Sequence, residues 1–142
     1  MSVVLDASAA LAWVFERENP KESSTANELL ASLGQDSAIV PSLWHCEVAN
    51  ALLVGERRGV IGEAQTTDFL GRLNALPIET DSADMGLARI AILRLAREFQ
   101  LSSYDASYLE LAIRRGVLMA TFDQRLSASA RAAGVRVFAV DY

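Results

Sequence analysis

Ser2-Val-Val-Leu-Asp-Ala-Ser8 is the stretch on which the reading of this chain turns. Val3, Val4 and Leu5 make a short apolar run with β-branched members, and residues 7–15 continue in a helical pattern, so the sequence describes a fully buried strand feeding a crossover helix. Asp6 then stands at the carboxyl end of a strand. In an open α/β sheet that edge is where ligand crevices form, because loops leaving neighbouring strands converge there while helices seal the faces. A plainer role is also open to it: Asp6, or Ser8 two residues on, could simply cap the helix that follows.

The same alternation repeats outward from this start. Asn19-Pro20 reads as a polar turn before a helix over 23–33 that Gly34 ends, and residues 38–40 read as a second strand. Ser42 is the expected N-cap of a helix over 43–58 with Gly59 as its stop, followed by a helix over 62–75 and a short strand at 76–78. Ser82 or Asp84 caps a helix over 85–100, and Ser102 caps the next, which leads to Arg114, Arg115 and Gly116. A strand at 117–121, a helix over 124–133 and a last strand at 135–140 complete the pattern. Strands alternating with helices predict the α/β class, a three-layer α/β/α sandwich around a mostly parallel sheet. A length of 142 residues, 51% of them hydrophobic, fits one domain over 1–142 with a substantial core. The helices at 62–75 and 85–100 carry more apolar surface than one small sheet needs, which makes them the expected dimer or partner interface.

No apolar run reaches the roughly 20 residues of a membrane span, and the segment after Asp6 lacks the basic start of a signal peptide, so a soluble cytoplasmic protein is expected. The single cysteine, Cys46, permits no internal disulfide and reads as a small buried hydrophobe. Net charge is −5, against the basic footprint usual for a nucleic-acid partner, but it is unevenly spread. Residues 1–84 hold 5 basic and 13 acidic side chains, residues 85–142 hold 8 and 5. The arginines of the second half could meet phosphate or serve as solvated helix faces, and the acidic balance suits a basic protein partner.

Glu47 is the residue that an ordinary helix explains least well. At about 100° per residue, Leu43, Ala51 and Val54 fall within roughly 40° of it, which places a carboxylate inside an apolar stripe. Such a group is normally paired or bound to metal, although it could also pair with a buried arginine or lie at the rim of the core. His45 and Cys46 point elsewhere on the helix, and no second His or Cys completes a zinc set. Asp105 at the third position of its helix and Asp123 at a helix start each have a capping explanation. Asp6, Asp105 and Asp123 nevertheless fall at strand ends or helix starts on what should be one edge of the sheet. With Glu47 they would repel one another unless a cation compensates, and all-oxygen ligation selects Mg2+ or Mn2+. Such a cluster suits phosphodiester hydrolysis, with the cation activating water and offsetting charge on the leaving oxygen. The chain has no Walker loop, no dinucleotide fingerprint and no nucleophile elbow.

The Val-Leu-Asp6-Ala-Ser8 start, the Glu47-Val-Ala-Asn50-Ala-Leu helix, the Ser-Tyr-Asp105-Ala-Ser-Tyr-Leu-Glu-Leu-Ala segment and the Ala-Thr121-Phe-Asp123-Gln-Arg-Leu segment together resemble the PIN domain. The resemblance is to the VapC toxins of bacterial toxin-antitoxin pairs and covers essentially the whole chain. It implies a metal-dependent endoribonuclease, usually a homodimer, that acts on tRNA, rRNA or mRNA and is held inactive by a cognate antitoxin lying across the active site. On that resemblance Asp6, Glu47, Asp105 and Asp123 are the catalytic acidic set binding Mg2+ or Mn2+, with Asp6 and Asp105 as direct ligands and Asp123 acting through water. Ser8, Asn50 and Thr121 would orient carboxylates or touch phosphate. Arg114 and Arg115 are the candidate RNA contacts. A metal-dependent nuclease acting on DNA, and a non-catalytic module whose acidic groove receives a basic peptide, are the alternatives.

Overall fold

The computed structural model describes residues 2–138. Along the chain run β1 (Ser2–Leu5), α1 (Ala7–Leu11), α2 (Pro20–Ser32), β2 (Ser37–Val40), α3 (Leu43–Arg57) and α4 (Glu63–Ala75), then β3 (Ile78–Thr80), α5 (Met85–Phe99), α6 (Ser103–Arg115), β4 (Leu118–Ala120), α7 (Gln124–Ala132) and β5 (Val137–Phe138). The strands form one sheet of order β3-β2-β1-β4-β5 in which each neighbouring pair is parallel. This is the α/β/α architecture that the alternation of elements predicts.

Unbroken apolar runs put β1 and β2 at the centre of this sheet, because a strand covered by helices on both faces has no side that can remain polar. Val4, Leu5 and Val40 are fully buried, and the core they anchor takes in Tyr108, Leu109 and Leu111 of α6 with Met119 of β4. From β1 the chain builds outward through β2 to β3, then returns to the other flank of β1 to lay down β4 and β5. The order therefore reverses between β1 and β4, and it is at the carboxyl ends of the strands at such a reversal that open α/β sheets bind their ligands. Asp6 N–H donates to the Ala120 carbonyl at 2.9 Å, carrying the β1–β4 ladder up to that edge.

Several boundaries differ from those expected. Helix α1 stops at Leu11, not residue 15, and the next residues form a turn in which Trp13 Nε1 donates to the Ala26 carbonyl at 2.9 Å. Asn19-Pro20 is no turn but the start of α2: proline suits a first helical position, and the Asn19 side chain accepts from Lys21 N–H at 2.9 Å. Ser42 is already helical and makes no side-chain cap. Strand β3 lies two residues later than expected because Leu76 still closes α4. Of the last strand, expected over 135–140, Val137 and Phe138 are strand, Val135 and Arg136 are not, and residues 139–140 lie outside the described residues. Cys46 is exposed, not buried, since α3 turns Trp44, Val48 and Leu52 inward instead.

Helix α5 buries Ala88 and Ile92 and leaves Leu87 and Ile90 largely in solvent, 83% and 71% exposed, as the excess of apolar residues there suggested. Among the described residues no helix is long and apolar enough to cross a membrane.

The packing that seats α3 is tight at Gly55, where a Cβ would stand 2.7 Å from Phe15 Cε1 and 3.3 Å from Ile61 Cγ1. At Gly71 in α4 an added Cβ meets nothing within 4 Å. Gly71→Ala is therefore expected to stabilise the protein by about 0.5–1 kcal/mol, some 2–4 °C in Tm, through helix propensity alone. Gly55→Ala is expected to lower Tm, and thermal melts of the two variants side by side check the contrast.

Candidate active site

Asp6 directly follows β1 and occupies the N-cap position of α1, yet its side chain makes no capping hydrogen bond. Both of its hydrogen bonds fall on one oxygen: Oδ2 accepts from Ser8 Oγ at 2.6 Å and from Thr121 Oγ1 at 2.7 Å. Oδ1 accepts none. Trp44 Nε1 is the one buried side-chain polar atom without a partner among the described residues, so Oδ1 is not sealed from solvent. The two hydroxyls are themselves held, Ser8 Oγ accepting from Phe122 N–H and Thr121 Oγ1 from Asp123 N–H, each at 3.0 Å. A short polar web thus ties the end of β1 to the loop between β4 and α7.

Glu47 comes to this site from α3. The buried face of that helix is Trp44, Val48, Leu52 and Gly55, so the stripe around Glu47 is its half-buried border. Its partner is not an arginine but a phenol, with Tyr108 Oη donating to Oε1 at 2.5 Å. Asp105 lies at the third position of α6, where Ser102 Oγ accepts its backbone N–H at 3.1 Å. Asp123 caps α7 through Oδ1, which accepts from Leu126 N–H at 2.9 Å, and keeps its second oxygen free. The capping role expected of Asp123 is real, and it uses only half of the carboxylate.

The electrostatics join these groups. Burial pushes the Asp6 carboxyl up to about 6 against the Ser8 and Thr121 hydrogen bonds that lower it, and the charges of Glu47 and Asp105 push the same way. Glu47 is raised chiefly by burial and also by Asp105, with the Tyr108 hydrogen bond opposing. Asp105 is raised by burial and then by Asp123, while Ser102 and Arg125 lower it. Carboxylates that raise one another's pKa in a cleft form a site that a cation completes.

Not every expected residue joins them. Asn50, one turn beyond Glu47, is exposed and makes no hydrogen bond to the carboxylates. Arg114 is tied to Asp81 and Glu110, each at 2.7 Å, about 14 Å along α6 from Asp105. Its charge is already matched. Arg115 stands 4.0 Å from Glu79 and is more exposed. One residue at the site escaped the sequence reading, Tyr108, detectable only as the i+3 neighbour of Asp105; Arg125, one of the second-half arginines that could meet phosphate, is the one whose charge acts on Asp105.

No three described His, Cys, Asp or Glu side chains are spaced as the ligand set of one ion, so the described residues build no closed protein cage. Mg2+ and ions like it do not need one, being held by one or two carboxylates with water and phosphate oxygens filling the remaining positions. The free Asp6 oxygen beside further carboxylates fits that mode of binding.

The sequence matches the PIN domain family over residues 3–132. The chain belongs to that family. PIN domains are usually metal-dependent nucleases. The fold is also that of PAE2754 from Pyrobaculum aerophilum, a crystal structure with 24% sequence identity and a TM-score of 0.69, matched over 97% of this chain and 92% of that one. No curated protein gives a significant match.

For this PIN domain the buried Asp6 has a cost that pH exposes. With a pKa near 3.8 unfolded and about 6 folded, the native state holds more protons between those values, so stability falls as pH rises through that window. The penalty approaches roughly 3 kcal/mol above pH 6. Asp6→Asn removes the charge and loses no hydrogen bond, since one amide oxygen can take both hydroxyls while the amide nitrogen faces the solvent side. Its metal-free Tm is expected to exceed wild type by about 5 °C or more at pH 7.5 and by little at pH 4, as calorimetry at both pH values would show.

Proposed function

We propose that this PIN domain is a metal-dependent endoribonuclease toxin of the VapC type, cleaving tRNA, rRNA or mRNA in the cytoplasm and neutralised by a cognate antitoxin. The observation that carries the reading is Asp6 at the β1/β4 crevice: one oxygen is held by Ser8 and Thr121, the other is left open, and the charges of Glu47 and Asp105 reach it. In this reading Asp6 and Asp105 are direct ligands of Mg2+ or Mn2+, Glu47 completes the acidic wall and Asp123 acts through water. A bound cation of that kind supplies an activated water and charge compensation at the phosphate. Ser8 and Thr121 hold Asp6 in one orientation, and Arg125 offers a positive charge at the mouth of an otherwise acidic site.

An acidic crevice that admits a cation also admits an arginine side chain, which is how an antitoxin segment would silence it. A second copy would cover the exposed Leu87 and Ile90 of α5. That helix has Asp84 at its start and Arg94 and Arg97 in its second half, so two copies packed antiparallel set acid against base. Ile90→Glu is then expected to convert a dimer to a monomer in light scattering while leaving the fold intact.

The absence of a three-ligand cage among the described residues favours one other reading, a non-catalytic acidic groove for a basic peptide. Cleavage of end-labelled tRNA and single-stranded RNA and DNA, with Mg2+, Mn2+ or EDTA, separates the possibilities. Wild type is expected to cut RNA only with metal, and Asp6→Asn and Asp105→Asn to lose at least 100-fold in rate, a loss of roughly 2.7 kcal/mol in transition-state stabilisation. Equal inertness of folded wild type and variants toward RNA refutes the ribonuclease, and cleavage of DNA alone reassigns the substrate.

A further inference from the structure

Tyr108 is fully buried in α6, yet its hydroxyl does not end in the apolar core. It donates to Glu47 Oε1 at 2.5 Å, the Ala7 backbone amide acts on the same phenolic oxygen, and the charge of Asp6 reaches it. One side chain therefore touches the groups that bring three of the carboxylates together: α6, which carries Asp105 one turn earlier, the β1–α1 junction after Asp6, and α3 with Glu47. A phenol has a single proton to donate, and here it goes to a carboxylate whose other oxygen, Oε2, is left without a protein hydrogen bond.

We propose that Tyr108 is a positioning residue for the divalent-cation site, holding the Glu47 carboxylate in place in the acidic wall beside Asp6 and Asp105, where it would meet a bound cation through water; this rests on the metal-dependent reading given above. Glu47 is only half-buried and sits on the border of its helix, so without the phenol its carboxylate has several rotamers open to solvent. The ring of Tyr108 is set by the core around Leu109 and Leu111, and its rigidity passes through one hydrogen bond to a flexible carboxylate. Carboxylates that ligate metals depend on such hydrogen bonds, whose loss commonly weakens metal binding 10- to 100-fold.

Tyr108→Phe deletes the hydroxyl and keeps the ring, so the core stays filled. Mn2+ binding, measured by electron paramagnetic resonance or calorimetry on metal-free protein, is expected to weaken about tenfold. In a Glu47→Ala background the same change is expected to have no further effect, because the group it positions is gone. A purely structural phenol would lower Tm in both backgrounds and leave Mn2+ affinity alone. Unchanged Mn2+ affinity in Tyr108→Phe, the same additional loss in the Glu47→Ala background, or no Mn2+ binding by wild type overturns the proposal. Tyr108-dependent Mn2+ binding without RNA cleavage by wild type would uphold it while refuting the ribonuclease.

Discussion

The structure depends on a carboxylate placed where a carboxylate is costly. Asp6 is almost wholly buried at the end of the central strand, and hydrogen bonds from Ser8 and Thr121 offset only part of the penalty for its charge. Those hydrogen bonds nonetheless decide local structure: they join the first turn of α1 to the β4–α7 loop across the point where strand order reverses, and they leave one Asp6 oxygen facing the opening. A core built for stability alone would put an apolar side chain there. Retaining the acid exchanges stability for a carboxylate at the edge of the sheet.

The other acids are held in ways that leave each of them incomplete. Asp123 spends one oxygen on a helix cap, Glu47 gives one to a phenol, and Asp105 sits beside the N-terminus of α6, whose dipole favours its charge. A helix cap takes one oxygen of Asp123 and a phenol takes one of Glu47, and neither bond uses the second oxygen of its carboxylate. Capping therefore does not exclude a second role for these residues: a carboxylate that caps a helix with one oxygen keeps another that a cation could use.

Strand β1, the helix starts at Ser102 and Asp123, and the alternation that dictates a parallel α/β sheet were all legible in the chain, because each rests on short-range preference: apolar runs, capping side chains and period. Boundaries were less legible where tertiary contacts intervene, as at Trp13, whose indole leaves the α1 pattern to reach Ala26. The burial of Glu47 was overstated for a similar reason. Helical periodicity locates a stripe but not its centre, and in α3 Trp44, Val48, Leu52 and the closely packed Gly55 take the middle.

What the sequence determined by itself is the set of acids and the kind of element each begins or ends, since these follow from neighbours within a turn. What only the tertiary structure decided is which of them meet. Strand order β3-β2-β1-β4-β5 brings Thr121 to Asp6 across 115 positions, and the Tyr108 side chain of α6 reaches Glu47 of α3 across 61. It also draws Arg114 away to Asp81 and Glu110, a pairing with no local signal to Asp81. Such partners are chosen by the burial of a whole core, a sum over many distant contacts that no local stretch of sequence contains.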